Sequence, residues 1–176
     1  MNDQTEHKLR LQEVLTMLVS DGLLGQREAD ALSAERKLHR QDQHPLLLIA
    51  GKSFKSALPP HKTLTLEALT EWLAQRVGVA YMHIDPLKID FSSVTDLMSN
   101  EYAGRFSILP LQVTANEVVV ATAEPFLREW EKVVKHITRK EVRRVVSSPL
   151  DIKRYLAEFY NLAKSIKSAT KNTSTT

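Results

Sequence analysis

The chain has 176 residues, 43% hydrophobic and 26% charged, with 24 Lys and Arg against 21 Asp and Glu for a net charge of +3. This is ordinary globular composition, long enough to bury a core without staples. The absence of cysteine excludes disulfides and thiolate metal sites such as zinc fingers. The opening residues, MNDQTEHKLRLQ, are charged and hold no apolar signal-peptide core. No run approaches the roughly 18 apolar residues of a spanning helix, so neither export by a signal peptide nor membrane insertion is expected.

From Leu11 the apolar residues fall at Leu11, Val14, Leu15, Leu18 and Val19, the spacing of one helical face. Asp21-Gly22 ends this helix, since Gly22 lacks the Cβ that opposes a left-handed C′ position. Leu23 and Leu24 lead into a second helix over about Gln26 to Arg40, and the two read as an αα-hairpin. Pro45 suits the first turn of a third, short helix through Leu46 to Ala50, with a buried strand as the competing reading. Gly51 to Thr63 contains Pro59-Pro60 and is irregular. Thr65 caps a fourth helix with Leu66, Leu69, Trp72, Leu73 and Val77 on its apolar face, and Gly78 stops it.

After Gly78 the period changes from helical to strand-like, which places a domain boundary there. Two apolar runs, Ile108 to Val113 and Val118 to Thr122, flank Thr114-Ala115-Asn116-Glu117 as the arms of a β-hairpin. The predicted order is strand 80–84, helix 92–102, strand 106–113, strand 117–123, helix 125–138, strand 140–147 and helix 149–163. Pro149 opens the last helix, and Ile152, Leu156, Phe159 and Tyr160 share one of its faces. The fold class is α+β: a small N-terminal helical bundle (1–78), then a small α/β subdomain (79–163) with a mixed sheet of about four strands in the order β-α-β-β-α-β-α. The polar end, 164–176, reads as a disordered tail or linker.

Charge is unevenly placed. Acids and bases nearly cancel up to Gln75, whereas Lys132, Lys135, Arg139, Lys140, Arg143, Arg144, Lys153 and Arg154 crowd a short span. Lys132, Lys135, Arg139, Lys140, Arg143 and Arg144 are the candidate partner-binding residues. Within KEVRRVV, alternation puts Lys140 and Arg144 on the face of Val142, a conflict that predicts an edge strand or a bulge. The plainer alternative is a solvated basic surface. Nucleic acid is not an expected partner, because the exposed strand aromatics of single-strand-binding sheets are not evident.

Catalytic motifs fail on inspection. Leu48-Ile49-Ala50-Gly51-Lys52-Ser53 looks like the end of a phosphate-binding loop, but the pattern needs a glycine where Leu46 stands and free backbone N–H groups where apolar residues lie. The six histidines are scattered without a metal-binding pair. Asp85 precedes Pro86 as a turn former, and Asp90 reads as a helix cap rather than half of an acid–base pair. No nucleophile-elbow pattern occurs. No catalytic, cofactor-binding or metal-binding residue is therefore assigned.

The runs LTLEALTEWLAQR, VAYMHIDPLKID, ILPLQV, VVVATAEP and RRVVSSPLDIKRYLAEFYNLAKS, in that order, resemble the N-terminal region of type II secretion and type IV pilus assembly ATPases, the GspE/PilB family with its MshEN-like domain. The resemblance runs from about Leu11 to Ser165. It implies a non-enzymatic docking or regulatory domain that joins a hexameric ATPase module to the cytoplasmic domain of an inner-membrane platform protein, GspL-like in type II systems, and so a cytoplasmic location at the inner-membrane face. ATP and zinc belong, by the same resemblance, to the C-terminal ATPase module, whose motifs have no counterpart here. The alternative it implies is a cyclic di-GMP sensor. Aligned on Asp21-Gly22-Leu23-Leu24, the family's ligand motif meets Glu13 where it wants Arg and Leu15 where it wants Gly. Its second copy meets Lys62 in place of a glycine. An acid repels phosphate and a leucine blocks close backbone approach, so cyclic di-GMP is not an expected cofactor.

Overall fold

The computed structural model describes residues 6–38 and 42–173. Helices α1 (Leu11–Ser20) and α2 (Gln26–Leu38) form the expected hairpin, and Gly22 takes the left-handed conformation at φ 75°. The end expected for α2, Arg40, lies outside the described residues. The apolar run after Pro45 is helical, α3 (Pro45–Ala50), because His44 caps it by accepting the Leu46 amide on Nδ1 at 3.1 Å. Thr65 caps α4 (Leu66–Val77) through the Ala68 amide, and Gly78 closes it with φ 72°. Val14, Leu15, Leu18, Leu46, Ile49, Leu69 and Leu73 pack together as the core of this half. Asp21 adds a polar tie, accepting from the Trp72 indole at 2.8 Å and pairing with Arg76.

The second half has a three-stranded sheet in the order β1-β2-β3. β1 (Ile108–Val113) and β2 (Glu117–Thr122) form the antiparallel hairpin, and β3 (Glu141–Val146) joins β2 in parallel. A register shift lies in β1 between Pro110 and Gln112. The sheet is thus mixed, as expected, but with three strands instead of about four. The residues expected as strand 80–84 make only a bridge, Tyr81 to Val146, bounded by left-handed Gly78 on one side and a 3-10 turn (Pro86–Lys88) on the other. Asp85 stabilises that turn by accepting the Leu87 amide, as a turn former should.

Other boundaries also move. The helix expected over 92–102 is two, α5 (Phe91–Thr95) and α6 (Asn100–Phe106), because Ser99 starts a new helix by accepting the Tyr102 amide. Asp90 stands before α5, but its carboxylate takes the hydroxyls of Ser92 and Ser93 instead of a backbone amide. Helix α7 (Glu129–Thr138) begins four residues after Pro125, the expected start. Helix α8 (Pro149–Thr173) continues well past Lys164, where the polar composition reads as a disordered tail. Ile108, Leu109, Val118 to Ala121, Trp130, Ile152, Leu156 and Phe159 build the core of this half.

The halves are joined by packing and by hydrogen bonds. Val146, at the end of β3, packs in the helical core while its neighbour Val145 packs in the sheet core. The Leu9 amide donates to Glu124 Oε2 at 2.7 Å, and His44 Nε2 donates to the Ala123 carbonyl at 2.7 Å. This donor assignment follows from Nδ1, which already accepts from Leu46.

Candidate docking surface

The basic span folds into α7, a two-residue corner (Arg139-Lys140) and β3. Trp130 and Val134 bury one face of α7 against the sheet, so Lys132, Val133, Lys135, His136 and Ile137 face outward. Val133 is 43% and Ile137 63% exposed, one helical turn apart. Arg139 makes the corner in a left-handed conformation at φ 58°. β3 then runs beside β2 on one side. On the other side only its last residue is paired, Val146, which exchanges backbone bonds with Ala80 and Met82. Among the described residues, nothing pairs with the outer edge of Glu141 to Arg144.

The six predicted bases are brought to one region but not to one role. Lys132 and Arg139 are exposed on α7 and its corner, with no described ion pair. Lys135 Nζ lies 2.9 Å from Glu141, and Arg143 Nε 3.4 Å from Glu117, both exposed pairs that solvent weakens. Lys140 donates to the Thr114 carbonyl at 2.6 Å, holding the hairpin turn to the start of β3.

Arg144 is the exception. Its side chain is only 13% exposed, its Nε sits 2.7 Å from Glu131, and its Nη1 donates to the Pro125 carbonyl at 2.7 Å. Burial lowers its pKa, and Glu131 opposes that shift. Arg144 is therefore a tie between β3, α7 and the loop after β2, and not part of a free basic rim. The same placement resolves the alternation conflict in KEVRRVV: Val142 and Arg144 do share a face, and the guanidinium is satisfied there by partners from other elements, so β3 needs no bulge.

The residues set aside as catalytic stay apart. Gly51-Lys52-Ser53 is the turn that follows α3, with Gly51 as its C-cap and Lys52 paired to Glu35, and no cluster of three or more His, Asp or Glu suited to a metal occurs among the described residues. Sequence reading missed one polar centre, the buried pair His44 and Glu124, whose nearest atoms are 3.6 Å apart. Burial raises the Glu124 carboxyl to about 7, although the Leu9 amide, Lys8 and His7 pull it down. Burial also lowers His44, partly offset by its bond to Ala123. The available signal was a carboxylate directly after the apolar run VVVATA.

This arrangement can be set beside known proteins. The family model of the MshEN domain matches residues 77–166. The chain belongs to the MshEN domain family. A type IV pilus assembly ATPase, TfpB of Acinetobacter baylyi, is 31% identical over 157 residues, which cover 88% of this chain and 27% of that protein. The MshEN chain thus spans about a quarter of that relative's length. Two solved structures share its fold. MshE with cdg superposes with a TM-score of 0.55 at 15% identity, covering 87% of this chain and 100% of the other. The N-terminal domain of XpsE gives 0.52 at 14% identity, covering 86% and 97%.

Proposed function

We propose that this MshEN domain is a non-catalytic docking domain of a secretion or pilus ATPase, tying the motor to the cytoplasmic domain of an inner-membrane platform protein. The observation that carries the proposal is the open outer edge of β3 beside α7, where Val133 and Ile137 supply an exposed apolar centre and Lys132 and Arg139 a cationic rim. Apolar centres ringed by charge are how protein interfaces are built, and an unpaired strand edge offers backbone groups for a partner strand. The relative's role as a pilus assembly ATPase supports the assignment to a motor. The natural partner is acidic, because exposed cations act mainly by speeding encounter.

The test is association with platform-protein cytoplasmic domains, measured by surface-immobilised kinetics. Lys132→Glu with Arg139→Asn removes the rim while keeping a residue that tolerates the left-handed corner. The association rate should fall about tenfold at low salt and converge with wild type at high salt. Equal rates at low salt would place the interface elsewhere, with the helical half the next surface to test.

A second reading, cyclic di-GMP sensing, draws support from the shared fold with MshE with cdg. Against it, both oxygens of Glu13 contact His7 at 2.9 and 3.1 Å, and Leu15 is fully buried in the helical core. Titration calorimetry decides: low-micromolar binding of cyclic di-GMP would favour sensing over docking alone.

A further inference from the structure

In the parallel ladder between β2 and β3, alternate residues of β3 turn their backbone groups toward β2. Glu141 donates its amide to the Asn116 carbonyl, and Ser147, just past the strand, donates to that of Thr122. Glu141, Arg143 and Val145 therefore face β2, and the N–H and C=O groups of Val142, Arg144 and Val146 point to the outer edge. Those of Val146 are taken, since its amide donates to the Ala80 carbonyl and its carbonyl accepts from the Met82 amide. Those of Val142 and Arg144 have no partner among the described residues. The segment that serves Val146 stops short of them. Val79 gives its amide to the Ala74 carbonyl at the end of α4, and Gly78 turns the chain with φ 72°, so the segment leaves the edge there. What remains is a cleft of about 420 Å³ bordered by Gly78, Val79 and Ala80 as well as by Val142 and Arg144. The charges around it are already matched: Glu131 with Arg128 and Arg144, Glu117 with Arg143, and Glu141 with Lys135. Main-chain groups are what the fold leaves uncommitted at this edge.

We propose that the docking partner adds a short extended segment to this edge, paired through its main chain with Val142 and Arg144. The inference rests on the docking reading above and states how that partner is held. The Ala80 to Met82 segment already pairs on the same edge at Val146, so the sheet admits a further strand there. From Glu141 to Arg144 the edge is about 13 Å long at roughly 3.3 Å per residue, which sets the length of the segment. Because the charges of the cleft are matched internally, recognition tolerates many sequences but excludes proline at the pairing positions. Attraction of an acidic partner falls to Lys132 and Arg139, which have no described ion pair. A second copy of this chain is a poorer occupant, since it brings another cationic rim and not an acidic surface.

The test is amide hydrogen exchange of the full chain, alone and with the platform-protein cytoplasmic domain used for the docking kinetics, read residue by residue by NMR. Alone, the Val142 and Arg144 amides should exchange about tenfold or more faster than that of Arg143, which faces β2. With the partner they should slow about tenfold or more, while Arg143 changes little. A variant checks the same bond. Val142→Pro removes an N–H that has no partner in the free chain, so its melting temperature should stay within a few degrees of wild type while dissociation of the complex quickens about tenfold or more. Val142→Thr, which keeps the N–H and the branched shape, should bind like wild type. If Val142→Pro does not fold, the exchange measurement on wild type decides by itself. Unprotected Val142 and Arg144 amides, in a complex whose association still depends on Lys132 and Arg139, overturn strand addition and leave docking standing. Absence of any complex overturns both. Protection that grows with the concentration of the chain alone assigns the edge to self-association and overturns the proposal as well.

Discussion

Glu124 shows how one buried side chain can set the pH response of the molecule. Its carboxyl is raised from an ordinary 4.5 to about 7, so between those values the folded chain holds a proton that the unfolded chain has released. This contribution is fully present below about 4.5 and is lost as pH rises through about 7. His44 acts with the opposite sign. Its pKa is lowered, so the unfolded chain takes up a proton first and stability falls as pH drops below 6.5. The two effects oppose one another on the acid side, and the Glu124 loss stands clear on approaching pH 7. Urea denaturation should therefore show wild type losing on the order of 1–3 kcal/mol by pH 8, and Glu124→Gln, which can still accept the Leu9 amide, losing much less. A flat wild-type profile from pH 6 to 8 would contradict this reading. Arg143 and Arg144 make a second contrast at the same scale. Arg143→Glu alters an exposed pair and should change stability by about 1 kcal/mol or less, whereas Arg144→Glu faces Glu131 and strands the Pro125 carbonyl, costing about 3 kcal/mol or more. Paired denaturation curves would check the ranking.

At the scale of elements, α8 has two halves with different reasons to be helical. Its first half is held by burial of Ile152, Leu156 and Phe159, and by the Tyr160 hydroxyl bonding the Met98 carbonyl. Its second half is exposed and rests on continuity with the first, since helix propagation adds a bond for each residue fixed. Ending the chain after Ala163 should leave the melting midpoint within a few degrees of wild type, because no large buried side chain is removed. A loss of about 10 °C or more would mean that the outer half supports the fold. Within the sheet, Trp130 is fully buried, with its indole donating to the Leu127 carbonyl at 2.9 Å. Replacing it with Ala should cost about 3–5 kcal/mol, the largest single effect expected in α7.

For the whole molecule the question is whether two cores behave as one. Val146, the Leu9–Glu124 bond and the His44–Ala123 bond cross between them, the first two buried and the third half-buried. Nature has placed one tryptophan in each half, Trp72 beside the helical core and Trp130 in the sheet core. Single-tryptophan variants, Trp72→Phe and Trp130→Phe, then report each half separately. Once corrected for each substitution's own effect on stability, measured by circular dichroism, their urea midpoints should coincide. Two separated transitions would show that the boundary near Gly78 divides independent folding units.

The sequence by itself determined most of the local structure, because that is written in short-range physics. The face of Leu11 to Val19, the caps at Thr65 and Gly78, the hairpin of β1 and β2 and the start of α8 at Pro149 all depend on neighbours a few residues apart. The family was legible as well, from the order of those elements. Tertiary structure decided what local pattern leaves open. Residues 80–84 have strand character, yet pairing requires a partner edge, and only Val146 offers one. Arg144 carries the same charge as Arg139, but contacts with Glu131 and Pro125 make it an internal tie, while Arg139 faces solvent. Glu124 looks like a turn residue until Leu9, 115 positions away, donates its amide to it. Burial and ion pairing are properties of what the chain brings together across long separations, which is why the candidate surface could be located in the sequence but its free and committed charges could be told apart only in the fold.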